Sequence, residues 1–221
     1  MILQVRTDDD PILRVVSREV EPHEFETPQF QNWVTAMIST CSLLQAAGLA
    51  SNQVGNPIRV VVLPEGKVYV NPKILDLSTE VETRPEGCFS VPDKTWWVRR
   101  PWAVRVRYQD RLGVESEEVL HDFPARVLQH ELDHLNGVLM TDYINEAPVE
   151  KEYWGLPLGH REYAPNESIS ASIAAAIDEA KKKGPDEAVA DRERRIQRGI
   201  EHIQFWSQHK RCGRLKLRSH A

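Results

Sequence analysis

Apolar residues recur at three- and four-residue intervals through Phe30, Trp33, Val34, Met37, Ile38, Cys41 and Leu44, which predicts a helix running to about Ala46. Thr27 is placed to cap it, with Pro28 in the first turn. Cys41 falls on the apolar stripe and reads as a small core residue. The period then shortens. Arg59–Leu63 is a β-branched run of the kind that forms a buried strand. Val68-Tyr69-Val70 predicts a second strand, stopped by Asn71-Pro72, with further exposed strands at Lys73–Leu77 and Thr79–Thr83. From Trp96 onward Val104, Val106 and Tyr108 alternate with Arg105, Arg107 and Gln109, the pattern of a half-buried strand. The interleaved aromatics and arginines of Trp96–Trp102 could also suit nucleic acid, but the continuing alternation favours the strand. Arg111-Leu112-Gly113 is a turn and Glu115–Leu120 a returning strand. Helical spacing resumes at Phe123-Pro124, passes Leu132 and Leu135, and stops at Asn136-Gly137, both tolerant of the left-handed conformation used there. Ahead of all this, Asp8–Arg14 predicts a loop followed by a brief strand or turn.

Beyond residue 146 the pattern changes. Glu146–Asn166 is rich in Pro and Gly and reads as a linker or wrapping loop. A short Ala-rich helix follows to Ala180, capped by Ser168 or Ser170, then a longer helix from Asp186 to about Gln208. The expected organisation is a body at 1–146 and an extension at 147–221. Charge divides the same way: residues 151–221 carry 14 Lys and Arg against 10 Asp and Glu, and the remainder 14 against 23. The last stretch, Lys210–Arg218, is basic without an acid. Such a run is either solvated, with the helix packed on the body or a second copy, or it contacts RNA.

A hydrophobic content of 41% fits a soluble globular protein, and no apolar run approaches a membrane span. Met1–Asp10 lacks the basic and apolar regions of a secretory signal. Cys41, Cys88 and Cys212 are too scattered for a disulfide framework, so a reducing cytoplasm is the expected setting. Nothing in the pattern fixes an oligomeric state.

The chemistry concentrates in Gln129-His130-Glu131-Leu132-Asp133-His134. One helical turn separates His130 from His134, so both imidazoles lie on one face and can grip one divalent cation, with Glu131 beside it to take a proton from water. The same motif also occurs in proteins that bind no metal, and two imidazoles leave the coordination short of a third ligand. Cys88, in the Pro85–Pro92 segment read as a loop, is either a structural thiol or that ligand. Asp133 reads as an ordinary helix residue. In Ala46–Gly55 six of ten residues are Gly, Ala or Ser, so the backbone there either approaches something closely or simply leaves a helix through a turn.

Three segments in order resemble the signature motifs of peptide deformylases. Gly48-Leu49-Ala50-Ser51-Asn52-Gln53 resembles the G-x-G-L-A-A-x-Q segment, Glu86-Gly87-Cys88-Phe89-Ser90 the E-G-C-L-S segment, and Gln129–His134 the Q-H-E-x-D-H segment. The match covers roughly residues 5–144. It departs at Ala46 for Gly, at Ser51 for Ala (a hydroxyl needing a partner) and at Phe89 for Leu. The resemblance implies an α+β fold, with antiparallel strands around a central helix carrying His-Glu-x-x-His. It also implies Cys88, His130 and His134 as ligands of one metal, iron(II) in the family with zinc, nickel or cobalt able to substitute. Glu131 would be the proton-transfer group, and the Gln53 amide with the Phe89 backbone N–H the oxyanion donors. Gly48 and Gly87 would meet the substrate strand-fashion. Glu86 would pair with Arg100, which is otherwise a solvated strand residue. The implied reaction removes the formyl group from an N-formylated peptide beginning with methionine. A deformylase-like amidase acting on another formamide, or a non-catalytic RNA-binding relative, are the alternatives. Some bacterial members are thought to dock on the ribosome through a C-terminal helix, the role the basic C-terminus here would take.

Overall fold

The computed structural model describes residues 1–145; the linker, the two helices and the basic terminus expected further on lie outside the described residues. Helix α1 spans Pro28–Leu44. The Thr27 side chain accepts from the Phe30 N–H, and Gln45, in left-handed conformation at φ 50°, closes the other end by donating to the Cys41 and Ser42 carbonyls. Seven strands follow: β1 Leu49–Ala50, β2 Val60–Leu63, β3 Lys67–Leu77, β4 Val81–Cys88, β5 Val91–Pro101, β6 Ala103–Gln109 and β7 Glu115–His121. Helix α2 spans Asp122–Leu135. Every pairing among these seven strands is antiparallel, with the order β1-β2-β3-β6-β7 in one sheet and β4-β5 as a separate hairpin. The architecture is α+β.

Strand β2 is apolar throughout because both of its faces are covered. Successive side chains point to opposite sides of a strand. Val60 and Val62 join the cluster that contains Phe30, Val34, Met37 and Cys41 of α1, whereas Val61 joins Ala125, Leu128, Leu132 and Leu135 of α2. Each large side chain so buried contributes about 1.5–3 kcal/mol of transfer free energy. The helix with the histidines is thereby seated on one face of the five-stranded sheet. A third cluster, under the hairpin, gathers Leu13, Val91, Val98, Leu139, Met140 and Tyr143 with Cys88 against it.

Three local expectations are corrected. Asn71-Pro72 does not stop a strand: Asn71 takes φ 50°, the register shifts between Val70 and Lys73, and β3 continues to Leu77. The Asn71 amide stabilises the bend by accepting from the Val20 N–H and donating to the Val20 carbonyl. Pro85–Cys88 is not a loop but the end of β4, where Pro85 is tolerated because the hairpin has only two strands. The alternation from Trp96 to Gln109 is two strands in different sheets, broken at Pro101-Trp102. Of the two alternatives for Asp8–Arg14 the turn is the one found: Pro11–Arg14 is a turn of 3-10 helix capped by Asp10. At the far end of α2, Gly137 has φ 74°, and a β-carbon there would stand 2.6 Å from the Arg14 carbonyl oxygen, so only glycine fits the exit.

Candidate active site

The β4-β5 hairpin brings Cys88 to the face of α2 that carries His130 and His134. Cys88 Sγ lies 3.2 Å from His134 Nε2, and the two imidazoles meet edge to face with centroids 4.9 Å apart. One ligand atom from each of Cys88, His130 and His134 can be chosen so that all lie within 4.8 Å of one another. Among the described residues this is the one such group of His, Cys, Asp or Glu.

Electrostatics prepare the sulfur. Burial opposes ionisation of Cys88, but His134 and His130 outweigh it and hold the thiol well below its ordinary range. Burial also opposes charging of His130, yet Cys88 on one side and Glu86 on the other raise it well above the usual histidine value. Burial pushes the Glu131 carboxyl up, partly offset by the two histidines. Glu131 Oε2 is buried without a hydrogen-bond partner among the described residues. A polar oxygen left bare inside a protein costs about 1–3 kcal/mol, so a further group completes this site. One thiolate and two imidazoles with an adjacent carboxylate are a donor set that fits a divalent transition metal.

Gln53 sits on a short 3-10 turn, Ser51–Val54, immediately after β1. Its carbonyl accepts from the Ala50 N–H at 2.8 Å, which turns its amide toward Ser90 Oγ at 3.2 Å and Cys88 Sγ at 3.6 Å. Phe89 occupies the hairpin turn and packs against the α1 cluster. The Ser51 hydroxyl finds its partner in Trp33, whose indole N–H donates to it at 3.2 Å. A β-carbon on Gly48 would stand 2.6 Å from Glu131 Oε1 and 2.8 Å from Val127 Cγ1, so the absent side chain makes room for Glu131. A β-carbon on Gly87 would meet nothing within 4 Å.

Behind the ligands lies a buried polar network. Glu86 accepts from Arg100 through two parallel bonds, Nε at 2.7 Å and NH2 at 2.9 Å, and its Oε2 lies 2.9 Å from His130 Nδ1. Burial resists the Glu86 charge, but Arg100 and His130 keep its pKa well below the carboxylate range. Sequence reading missed three members. Arg100 NH1 donates to Asp133 at 2.8 Å, the Tyr143 hydroxyl donates to the same oxygen at 2.7 Å, and Arg126 NH1 donates to Glu86 Oε1 at 2.6 Å. Arg126 and His130 are four residues apart on one helix, a spacing that could have flagged Arg126.

An α+β scaffold presenting a thiol, two imidazoles and a buried carboxylate has the donor set of a metal-dependent hydrolase. The family model for polypeptide deformylase matches residues 2–149. A peptide deformylase of Finegoldia magna is 42% identical over 156 residues, covering 67% of this chain and 94% of the relative. Among solved structures, peptide deformylase from Thermotoga maritima superposes with a TM-score of 0.62 at 36% identity, covering 66% of this chain and 99% of that one. The Met-Ala-Ser-bound class I type b peptide deformylase of Acinetobacter baumannii matches with a TM-score of 0.62 at 34% identity, covering 65% and 99%. The chain belongs to the polypeptide deformylase family. Among the described residues, no helix is long and apolar enough to cross a membrane.

Proposed function

We propose that Cys88, His130 and His134 hold one divalent ion, iron(II) by preference with zinc, nickel or cobalt able to replace it, and that the chain removes the N-formyl group from peptides beginning with formyl-methionine. The convergence of three ligand atoms within 4.8 Å, beside a buried glutamate, carries the reading. A bound ion would supply Lewis acidity, lowering the pKa of water and polarising the formyl carbonyl. Glu131 accepts the proton that water loses as it attacks the formyl carbon. The same carboxyl then delivers that proton to the amine nitrogen as the C–N bond breaks, leaving formate and a free N-terminus. The Gln53 amide and the Phe89 backbone N–H donate to the carbonyl oxygen as it gains charge. Gln53 is held for this by its own carbonyl on the Ala50 N–H. The space beside Gly87 is open, and a peptide would lie along this end of β4 as an added strand. The tripeptide Met-Ala-Ser bound to the Acinetobacter relative supports a peptide substrate with methionine first.

In this reading α2 is the central helix, residues 1–146 form the catalytic domain with 147–221 as an extension, and the protein works in the cytoplasm. Its basic end is a candidate contact for the ribosome. Formate release from a formyl-Met peptide, with and without Glu131→Gln, tests the assignment. Wild-type turnover lost in the variant supports it, and equal turnover in both refutes it.

A further inference from the structure

We propose that Arg126 is a positioning residue for the metal centre, acting through Glu86. Arg126 lies one helical turn before His130 on α2 and is almost wholly buried. Its guanidinium reaches three acceptors, all on the hairpin that carries Cys88. NH1 donates to Glu86 Oε1 at 2.6 Å and to the Val98 carbonyl at 2.9 Å, and NH2 donates to the Glu82 carbonyl at 2.6 Å. One side chain therefore ties the helix of the imidazoles to both strands of the hairpin that supplies the sulfur. A planar fork with several fixed donors suits this, where an ammonium would satisfy fewer acceptors at once.

Charge gives the link a second effect. Glu86 and Asp133 face Arg100 and Arg126, two acids against two bases in one buried network. Glu86 Oε1 is shared by two guanidinium groups, and Oε2 lies against Arg100 and His130 Nδ1. Without Arg126 the network would carry an uncompensated negative charge behind His130. Its carboxylate would pull harder on the ring, and the hairpin would lose its hold on α2. The partners behind a ligating histidine fix its orientation and basicity, and changing them costs about 10–100-fold in metal affinity or activity.

The inference rests on the three-ligand reading, and cobalt(II) separates the two. Wild type should show thiolate-to-cobalt absorption and the visible bands of a low-coordinate ion; their absence would overturn the ligand reading itself. Given those bands, Arg126→Met should shift them, weaken cobalt against a competing chelator by about 10–100-fold, and lower kcat while KM for a formyl-Met peptide stays within about twofold. Arg126→Lys should recover part of each loss. A folded Arg126→Met protein with wild-type bands and chelator midpoint overturns the proposal. If the methionine variant does not fold, the lysine variant decides: bands and midpoint identical to wild type overturn it, and an intermediate shift supports it.

Discussion

Gly48 and Glu131 are in mutual contact: the position a β-carbon would take at residue 48 lies 2.6 Å from Glu131 Oε1, with Val127 closing the other side at 2.8 Å. The carboxylate is thus held by the absence of a side chain opposite. Gly48→Ala should push Glu131 aside and lower kcat by about 100-fold, the size expected when a reacting group is misplaced by an ångström. Metal content should stay at the wild-type level. An alanine variant with unchanged kcat would show that the strand yields instead.

Glu131→Gln removes the proton acceptor while keeping the shape. Proton transfer by a placed side chain contributes about 10²–10⁴-fold, so formate release should fall in that range with the metal still bound. Stripping the metal with a chelator should abolish release, and adding back iron(II), nickel or cobalt should restore it. Activity that survives complete metal removal would contradict the reading.

Arg100 is buried between Glu86 and Asp133. Arg100→Met leaves both carboxylates without their shared partner, and breaking a buried ion pair from one side costs about 3–5 kcal/mol. Urea unfolding of metal-free protein should show a loss of that order. A change below about 1 kcal/mol would mean that Arg126 and Tyr143 compensate, since removing one buried partner normally costs more.

Glu24 offers a pH test remote from the site. Hydrogen bonding from Arg18, then from the Glu21 N–H, holds its carboxyl down at about 2 against the ordinary 4.5. A depressed folded value means the pair stabilises above about pH 4.5, and the contribution disappears as pH falls towards 2. The Arg18 side chain is 57% exposed, so screening limits the pair to about 0–1 kcal/mol. Wild type and Glu24→Gln should differ in urea midpoint at pH 7 and converge near pH 2. A gap that widens on acidification would reverse the sign.

The basic C-terminus is tested by deletion. Removing residues 211–221 should leave formate release from a short peptide intact. If this end contacts ribosomal RNA, the deletion should abolish a salt-sensitive co-sedimentation with ribosomes. Equal co-sedimentation of both proteins would exclude that contact.

How far the sequence could be read depended on whether the relevant neighbours were local. The helical spacing of His130 and His134 is local, and so is the turn at Asn136-Gly137. The buried run at Val60–Leu63 announced its strand because apolar cover on both faces leaves no alternation. Cys88 beside the histidines, by contrast, needs a hairpin folded across α2: the residues alone left it either a structural thiol or the third ligand, and the resemblance to known deformylases favoured the ligand. Asp133 looked like an ordinary helix residue because its partners, Arg100 and Tyr143, come from β5 and from the segment after α2. Asn71-Pro72 looked like a stop because propensity does not register that Asn71 can take a left-handed angle and fasten its amide to Val20. Trp102 marks a similar miss: alternation continued across it, although its backbone joins Glu80 on one side and Asp122 on the other, turning the chain between sheets.

The sulfur and the imidazoles belong to different cores. Cys88 packs with Leu13, Val91, Val98, Leu139, Met140 and Tyr143, while the helix of His130 and His134 rests on the five-stranded sheet. An ion gripped by all three is therefore a rivet across a seam. Its occupancy would make the loosening of either half a shared event, so loading the metal would raise cooperativity of unfolding as well as its midpoint.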